Sequence, residues 1–125
     1  MMGANHLALG ARGEELAAGY LQKQGYRILV RNFRCRYGEI DVIAEEGKNL
    51  VFIEVKSRSG AAFGDPLEAV DRRKRGQLER VARYYLEETG NTERFCRFDV
   101  VAILLVGGAV PKIELIRHAF DLDNN

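Results

Sequence analysis

Residues 38–44 read Gly-Glu-Ile-Asp-Val-Ile-Ala, and residues 50–56 read Leu-Val-Phe-Ile-Glu-Val-Lys. Both stretches alternate apolar with ionisable residues at a period of two, which predicts two β-strands that carry charged side chains on one face of a sheet. Between them Gly47 precedes Lys48, and glycine at the first central position is typical of a two-residue type II′ hairpin turn. The two stretches are therefore predicted to form an antiparallel hairpin.

The predicted hairpin gathers ionisable side chains. If the pairing starts at the residues that flank the turn, the register places Asp41 opposite Glu54 and Glu39 opposite Lys56, with all four side chains on one face. Two carboxylates held within about 5 Å of each other repel and destabilise the pair. A divalent cation between Asp41 and Glu54 would remove that conflict.

Asp41, Glu54 and Lys56 together predict a hydrolytic metal centre. Two carboxylates can hold Mg²⁺ or Mn²⁺ through oxygen ligands, while the lysine orients or deprotonates a water and stabilises the developing phosphorane charge. This chemistry is phosphodiester hydrolysis. The alternative is a solvated hairpin face on which Glu39 pairs with Lys56, but Phe52 shares that face, which indicates partial burial.

Length and composition bound the class of protein. The chain has 125 residues, with 46% apolar and 30% charged residues and a formal net charge of +1, which predicts one domain over residues 1–125 with flexible termini at 1–10 and 119–125. No apolar run approaches the length of a membrane span, and the start lacks a basic segment before its short apolar patch. We expect a cytoplasmic protein with no membrane partner, in which Cys35 and Cys96 are reduced thiols.

Basic residues flank the acidic centre along the chain, although the net charge is small. Such a metal centre needs a polyanion brought to it, and each phosphate that a cation neutralises releases counterions. No base-reading motif is visible, so recognition of backbone and shape is expected. The residues predicted to bind nucleic acid are Arg31, Arg34, Arg36, Arg58, Arg72, Arg73 and Lys74.

Hydrophobic periodicity predicts the element order αβββαββ around the hairpin. A loop at 57–64 and a capped helical turn at 65–66 are expected after the hairpin. The near-continuous apolar run at 98–105 suits a strand that is buried on both faces. Outside the hairpin, the predicted helices cover 11–24 and 71–88, and the predicted strands cover 27–33, 97–106 and 113–117.

Several single residues need separate interpretation. Glu14 borders the apolar stripe of the first helix and could reach the metal as a third carboxylate, or it could simply interact with the helix dipole. Glu15 points about 100° away from it, toward solvent. Gln77 could face the site from the second helix, with Lys74 as its companion. Asp99 lies in an apolar strand, where a carboxylate is rarely unpaired, so it is expected to pair with an arginine.

The same residues carry a resemblance to a known family. The chain resembles the YraN-type family of uncharacterised bacterial proteins over nearly its whole length. That family is in turn similar to the archaeal Holliday-junction resolvases and to the restriction-endonuclease-like PD-(D/E)xK nucleases. The residues that carry the resemblance are Gly13-Glu14, Ala17, Tyr20-Leu21, Gly25-Tyr26, Gly38 to Asp41, Phe52 to Lys56, Phe63-Gly64, Lys74 and Arg97 to Val100.

The resemblance implies a fold and a set of roles. The fold is α/β and restriction-endonuclease-like, a central mixed five-stranded sheet flanked by helices. Asp41 corresponds to the first acidic ligand, Glu54 and Lys56 to the E-x-K element, and Glu14 to the helix-one glutamate of the resolvases. The proline that names the motif is absent, because Ile40 precedes Asp41. Branched DNA as substrate and a homodimer are implied by the resolvases alone.

These observations favour a metal-dependent endonuclease acting on DNA. Glu14, Asp41 and Glu54 would hold Mg²⁺ or Mn²⁺, Lys56 would assist the attacking water, and Glu39 and Gln77 would support the site. The alternative is a catalytically silent nucleic-acid-binding protein that retains the nuclease fold. Hydrolysis of a small phosphoester is a third reading, and the flanking arginines favour a polymer over it.

Overall fold

The computed structural model describes residues 2–59, 70–105 and 110–121. Along these residues the elements are α1 (Met2–Lys23), β1 (Arg27–Cys35), β2 (Gly38–Glu46), β3 (Asn49–Ser59), α2 (Arg72–Thr89), β4 (Cys96–Leu105) and β5 (Lys112–Phe120). The predicted restriction-endonuclease-like order αβββαββ is confirmed. The predicted loop beyond Ser59 and the helical turn at 65–66 lie outside the described residues.

The five strands form one mixed sheet in the spatial order β1-β2-β3-β4-β5. Neighbouring strands are antiparallel except β3 and β4, which are parallel. Parallel strands cannot be joined by a tight turn, and the connection from β3 to β4 contains α2. Helix α1 covers one face of the sheet and α2 covers the other.

Element bounds differ from the predicted ones most clearly in α1, β1, β3 and β5. Helix α1 begins at Met2 instead of residue 11, because Gly10 is accommodated inside it and Ala4, Leu7 and Ala8 have high intrinsic helix propensity. Strand β1 continues to Cys35. Strand β3 continues to Ser59 through the first three residues of the loop predicted at 57–64, because it pairs with β4 as far as Ser59–Leu105. Strand β5 continues to Phe120, because a register shift opposite 98–100 allows pairing to resume beyond the predicted end of the strand.

Each helix covers one face of the sheet with its own apolar cluster. Ala17 and Leu21 of α1 pack on residues that include Val42, Ile53 and Val101. On the opposite face, α2 packs through Leu78, Val81, Ala82, Tyr85 and Leu86 on Ile43, Leu50, Phe52, Phe98 and Val100. Strand β4 contributes to both clusters, which confirms its predicted burial on both faces. No helix within the described ranges is long and apolar enough to cross a bilayer.

Candidate metal centre

The predicted hairpin register is confirmed next to the turn. The β2–β3 pairs run from Glu46–Asn49 to Val42–Ile53. Gly47 has φ +59°, as the first central position of a type II′ turn requires. The ladder ends at Val42–Ile53, so the two strands separate at the height of the predicted metal ligands.

Asp41 lies immediately beyond the last ladder pair. Its carboxylate accepts the backbone N–H of Val55 at 2.8 Å, a donor that the β2 backbone would otherwise bind. The alternation of β2 is interrupted at this point, because Ile40 and Ile43 both pack in the α2 cluster while Val42 packs in the α1 cluster. The hydrogen bond from the Val55 backbone to the Asp41 side chain thus takes the place of the backbone pairing that was expected between Asp41 and Glu54.

The carboxyl groups of Asp41 and Glu54 are neighbours at this opening. Burial raises the pKa of Asp41 to about 8, with further contributions from a hydrogen bond to Glu54 and from the charge of Glu54, while the Val55 N–H acts in the opposite direction. Two adjacent carboxylates with little access to water cannot both ionise without a compensating positive charge. A proton or a cation must therefore accompany this pair.

Lys74 of α2 supplies one such charge. Its Nζ atom lies 3.1 Å from a carboxylate oxygen of Glu54, whose side chain is only 12% exposed. The sequence predicts Lys74 as a nucleic-acid-binding residue and as the companion of Gln77 beside the site. The structure brings it into direct contact with a predicted metal ligand.

Lys56 and Glu39 do not pair with each other, contrary to the predicted register. Lys56 is exposed and lies opposite Ala102 of β4, and it forms no ion pair with a carboxylate of the described residues. Glu39 lies opposite Arg34 of β1 and binds it at 2.8 Å. Lys56 follows Glu54 on the same side of β3, so its ammonium group remains available at the opening.

Glu14 approaches the opening from α1. It is half-buried, and burial raises its pKa, followed by the charge of Asp41, while Arg31 and Arg34 oppose the rise. No group of three His, Cys, Asp or Glu side chains with the spacing of a metal site occurs in the described part of the chain. The structure thus brings Asp41 and Glu54 together and leaves Glu14 near them, and its role as a ligand stays a prediction.

The donor set at the opening fits a hard divalent cation. Asp41 and Glu54 offer carboxylate oxygens, which Mg²⁺ and Mn²⁺ prefer. Mg²⁺ is commonly held through one or two carboxylates, with its other positions left to water and substrate phosphate. Two ligands are therefore enough for this chemistry, and Glu14 is not required to complete it.

Helix α1 comes close to β3 at Gly13, one residue before Glu14. A Cβ atom at Gly13 would lie 1.7 Å from Oγ and 2.9 Å from Cβ of Ser57. We expect Gly13→Ala to lower the free energy of unfolding by about 1–3 kcal/mol, because the added methyl must push the helix off the strand. Chemical denaturation of both proteins measures this difference.

Gly19 provides the matched control for that substitution. It lies in the same helix, and a Cβ atom there meets nothing within 4 Å, so Gly19→Ala should leave stability unchanged or raise it by up to about 1 kcal/mol. A second change, Ser57→Gly, removes the atoms that clash and should restore much of the stability of Gly13→Ala. Equal stability of Gly13→Ala and Gly19→Ala would contradict the close approach.

The basic residues predicted to bind nucleic acid differ in their contacts. Arg34 and Lys74 bind carboxylates, as described above. Arg31 binds Glu15 of α1 at 2.9 Å, so Glu15, although 72% exposed as predicted, has a partner on β1. The ion pairs of Arg31 and Arg34 lie at the surface, where such pairs are weak and can exchange partners.

The other four basic residues form no ion pair within the described ranges. Arg36 stacks on Tyr37, with its guanidinium carbon 4.9 Å from the ring centroid. Arg72 and Arg73 are exposed in the first turn of α2, and Arg58 is half-buried on β3.

Gln77 lies over the turn between β1 and β2. Its side-chain atoms would come within 2.6–2.9 Å of a Cβ atom at Gly38, so it packs against the start of β2, near Glu39. The sequence interpretation did not single out Tyr37 and Tyr84, which lie next to each other beyond this point. Tyr84 lies beside the core stripe of α2, one turn after Arg80. This spacing of an arginine and a tyrosine on one side of the helix is the sequence signal that could have identified Tyr84.

Asp99 pairs with an arginine, as predicted. Its carboxylate binds Arg97 at 2.9 Å and 3.0 Å and Tyr26 Oη at 2.6 Å. Arg97 also binds Glu46 at 2.6 Å, so this network lies at the turn end of β2, the end away from Asp41. Burial and the hydrogen bond to Asp99 raise the pKa of Tyr26 above its usual range, which keeps the phenol protonated as a donor.

The fold and the site together define an α/β protein whose mixed five-stranded sheet opens between β2 and β3 over a pair of carboxylates. Residues 13–103 match the model of the uncharacterised protein family UPF0102. The chain belongs to this family, which confirms the resemblance to the uncharacterised YraN-type proteins.

Relatives in several bacteria are similar over most of the chain. A UPF0102 protein of Moorella thermoacetica is 52% identical over 112 residues, which cover 89% of this chain and 93% of the relative. One of Rhodococcus jostii is 50% identical over 117 residues, or 94% and 99% of the two chains. One of Geobacter sulfurreducens is 48% identical over 114 residues, or 91% and 89%.

Proposed function

We propose that this protein is a metal-dependent nuclease that hydrolyses phosphodiester bonds of DNA. Asp41 and Glu54 would hold Mg²⁺ or Mn²⁺, with Glu14 as a third carboxylate nearby, and Lys56 would act on the attacking water. The proposal includes a cytoplasmic location. Branched DNA as the substrate and action as a homodimer are the finer parts of this proposal.

One observation carries the proposal more than any other. The β2–β3 ladder stops at Val42–Ile53, and just beyond it two neighbouring carboxyl groups share a site in which the pKa of Asp41 is raised to about 8. Such a pair costs stability unless a cation binds it. Perturbed carboxyl groups of this kind cluster at functional sites.

The residues at the opening support distinct roles in hydrolysis. A divalent cation held there would supply charge stabilisation at the phosphate and a more acidic water. The Val55 N–H binds one oxygen of Asp41, and the other oxygen would be the ligand of the cation. Lys74 neutralises Glu54 and would have to share that carboxylate with the cation.

Lys56 is the residue best placed to act on the attacking water. It lies two positions after Glu54, is exposed, and has no carboxylate partner among the described residues. An ammonium group in this position can orient the water or stabilise charge on the phosphorus centre. The water oxygen bonds to phosphorus and releases one proton to solvent, while the bond from phosphorus to the leaving oxygen breaks and that oxygen takes up a proton, which yields a phosphate monoester and a free hydroxyl group.

The rival function is nucleic-acid binding without turnover. The ion pair of Lys74 with Glu54 favours it, because this contact already satisfies the charge of one carboxylate. The two functions differ in a single measurable property, the appearance of metal-dependent cleavage products.

Cleavage assays on a panel of DNA substrates test the proposal. Duplex, single-stranded, flapped and four-way-junction DNA are incubated with Mg²⁺ or Mn²⁺ and wild-type, Asp41→Asn or Lys56→Ala protein. We expect products from the wild type and a decrease in rate of about 100-fold or more in both variants. Lys112→Ala removes an exposed lysine of β5 and should cleave as the wild type does.

Two results would contradict the nuclease function. A wild type that binds these substrates and cleaves none of them with either metal leaves only the binding function. Cleavage at equal rates by wild type and Asp41→Asn indicates a contaminating nuclease.

A further inference from the structure

A cleft lies between the β1–β2 turn and α2, and its lining does not include Asp41 or Glu54. Its volume is about 390 Å³, which is within the range of small-ligand pockets. Two aromatic rings and three guanidinium groups line most of it: Arg36, Tyr37, Arg80, Arg83 and Tyr84.

The aromatic wall of the cleft is anchored in the core. Tyr37 and Tyr84 meet edge to face with ring centroids 6.1 Å apart. The ring centroids of Tyr84 and Phe33 are 6.3 Å apart. Phe33 in turn packs edge to face on the core residue Tyr85, with the ring centroids 5.2 Å apart. Tyr37 nevertheless remains 36% exposed, so a large aromatic side chain faces solvent on a fixed support.

The cationic side of the cleft includes two exposed guanidinium groups, those of Arg36 and Arg80. Arg36 donates a hydrogen bond to Tyr37 Oη at 2.7 Å and stacks on the same ring. Both Arg36 and Arg80 are exposed, and neither forms an ion pair with a carboxylate within the described ranges. These guanidinium groups can bind an anion without first breaking an ion pair.

The groups along α2 are ordered in a way that matches one nucleotide. Arg80 comes first, Arg83 and Tyr84 lie about 5 Å and 6 Å further along the helix axis, and Glu87 and Glu88 follow about one turn later. The carboxylates repel phosphate and can accept hydrogen bonds from the exocyclic amino group of a base. Phosphate is thus directed away from the carboxylates, toward Arg80, and the base toward Tyr84 and the carboxylate end.

We propose that this cleft binds one unpaired nucleotide of the DNA, with its base against Tyr37 and Tyr84 and its phosphate at Arg36 and Arg80. This inference rests on the nucleic-acid part of the proposed function and specifies its substrate class. A base inside a duplex is stacked and cannot enter such a cleft. The preferred substrate therefore contains a single-stranded segment beside the bond that is cleaved.

Helix α2 sets the distance from this cleft to the carboxylate pair. Lys74 binds Glu54, and Arg80 and Tyr84 lie about 9 Å and 15 Å further along the same helix. At about 3.4 Å per nucleotide of a strand in duplex geometry, this corresponds to about three to four nucleotides. The unpaired nucleotide is therefore expected about three to four nucleotides from the cleaved bond.

Binding assays in EDTA test the cleft without requiring cleavage. The probes are a labelled 12-residue deoxycytidylate, the same strand with abasic sites in place of its central bases, and a duplex of equal length. The chain contains no tryptophan and five tyrosines, so quenching of tyrosine fluorescence reports stacking of a base, and anisotropy gives Kd.

We expect Tyr84→Leu and Tyr37→Leu each to weaken binding of the single strand about 10-fold and to reduce the quenching, because base–aromatic stacking contributes on this scale. Arg80→Gln, an exposed position, should weaken the same probe and serves as the test if a tyrosine variant is unstable. The wild type should bind the abasic strand about as weakly as the tyrosine variants bind the intact strand. The matched controls Tyr20→Leu on α1 and Lys112→Gln on β5 should bind as the wild type does.

Two results would overturn the inference, and a third would separate it from the nuclease function. Unchanged Kd in the tyrosine and Arg80 variants, or equal binding of the abasic strand, shows that no base occupies the cleft. Binding of an oligoglutamate peptide that is weakened by the same variants shows a cleft for an acidic peptide. If instead the wild type cleaves no DNA but these binding differences are observed, the nuclease function fails and the nucleotide cleft stands.

Discussion

Replacement of Asp99 by alanine is expected to lower the free energy of unfolding by about 3–5 kcal/mol, because it leaves buried donors unsatisfied and removes one of the two carboxylates that bind the largely buried Arg97. Asp99 is only 1% exposed. Its carboxylate accepts hydrogen bonds from the Arg97 guanidinium, from Tyr26 Oη at 2.6 Å and from the backbone N–H of His118 at 2.9 Å. Urea unfolding followed by circular dichroism measures the loss.

The bond to His118 adds a backbone contribution to this effect. His118 has φ +56°, a conformation that is uncommon for residues other than glycine, and the β4–β5 register shifts between Phe98 and Val100. Asp99 therefore stabilises a bulge that allows β5 to continue to Phe120. In Asp99→Ala we expect faster amide exchange in β5 as well as lower global stability.

Glu93→Ala is the control for Asp99→Ala, because it removes an exposed carboxylate close by in the chain and should change stability by less than about 0.5 kcal/mol. Asp99→Asn keeps the shape but turns an amide toward groups that donate, so it should also be destabilising. Wild-type stability of Asp99→Ala would show that the network does not support the fold.

The second large effect concerns the stability of the metal-free protein as a function of pH. The pKa of Asp41 is about 8 in the folded protein against an ordinary value of 3.8. Between these values the folded state holds a proton that the unfolded chain has released, so raising the pH destabilises the fold. We expect a loss of up to about 5 kcal/mol between pH 4 and pH 8, at about 1.4 kcal/mol for each tenfold change in proton affinity.

Asp41→Asn should remove this loss, because the amide keeps the shape of the protonated acid and cannot ionise. In EDTA the variant is therefore expected to be more stable than the wild type at pH 8 and similar to it at pH 4. Mg²⁺ should stabilise the wild type at pH 8 and have little effect on the variant. Denaturant unfolding at a series of pH values gives the difference between the two proteins.

Glu93→Gln makes the equivalent change from carboxylate to amide at an exposed side chain and should leave the pH dependence of the wild type unaltered. Parallel stability profiles for Asp41→Asn and the wild type would contradict the repulsion between the carboxylates. They would also remove the main argument for a cation at this place, whatever the cleavage assays show.

Much of the fold could be predicted because its signals are local. The period-two pattern of residues 38–44 and 50–56 and the glycine at position 47 were sufficient for β2, β3 and the turn between them. The core stripe of α2 at Leu78, Val81, Ala82, Tyr85 and Leu86 is likewise a local pattern, and all of these residues are buried. The pairing of Asp99 with an arginine followed from the cost of burying a lone carboxylate.

The sequence alone was enough for the elements, their order and the two carboxylates that meet. It did not reveal that the β2–β3 ladder stops at Val42–Ile53, that Asp41 binds the Val55 N–H, or that Lys74 binds Glu54. The tyrosine and arginine cleft was equally hidden. Periodicity assigns a side chain to a face of its own strand or helix, whereas these contacts depend on where strands separate and on how closely a helix packs across them. Those distances result from the packing of residues that are far apart in the chain.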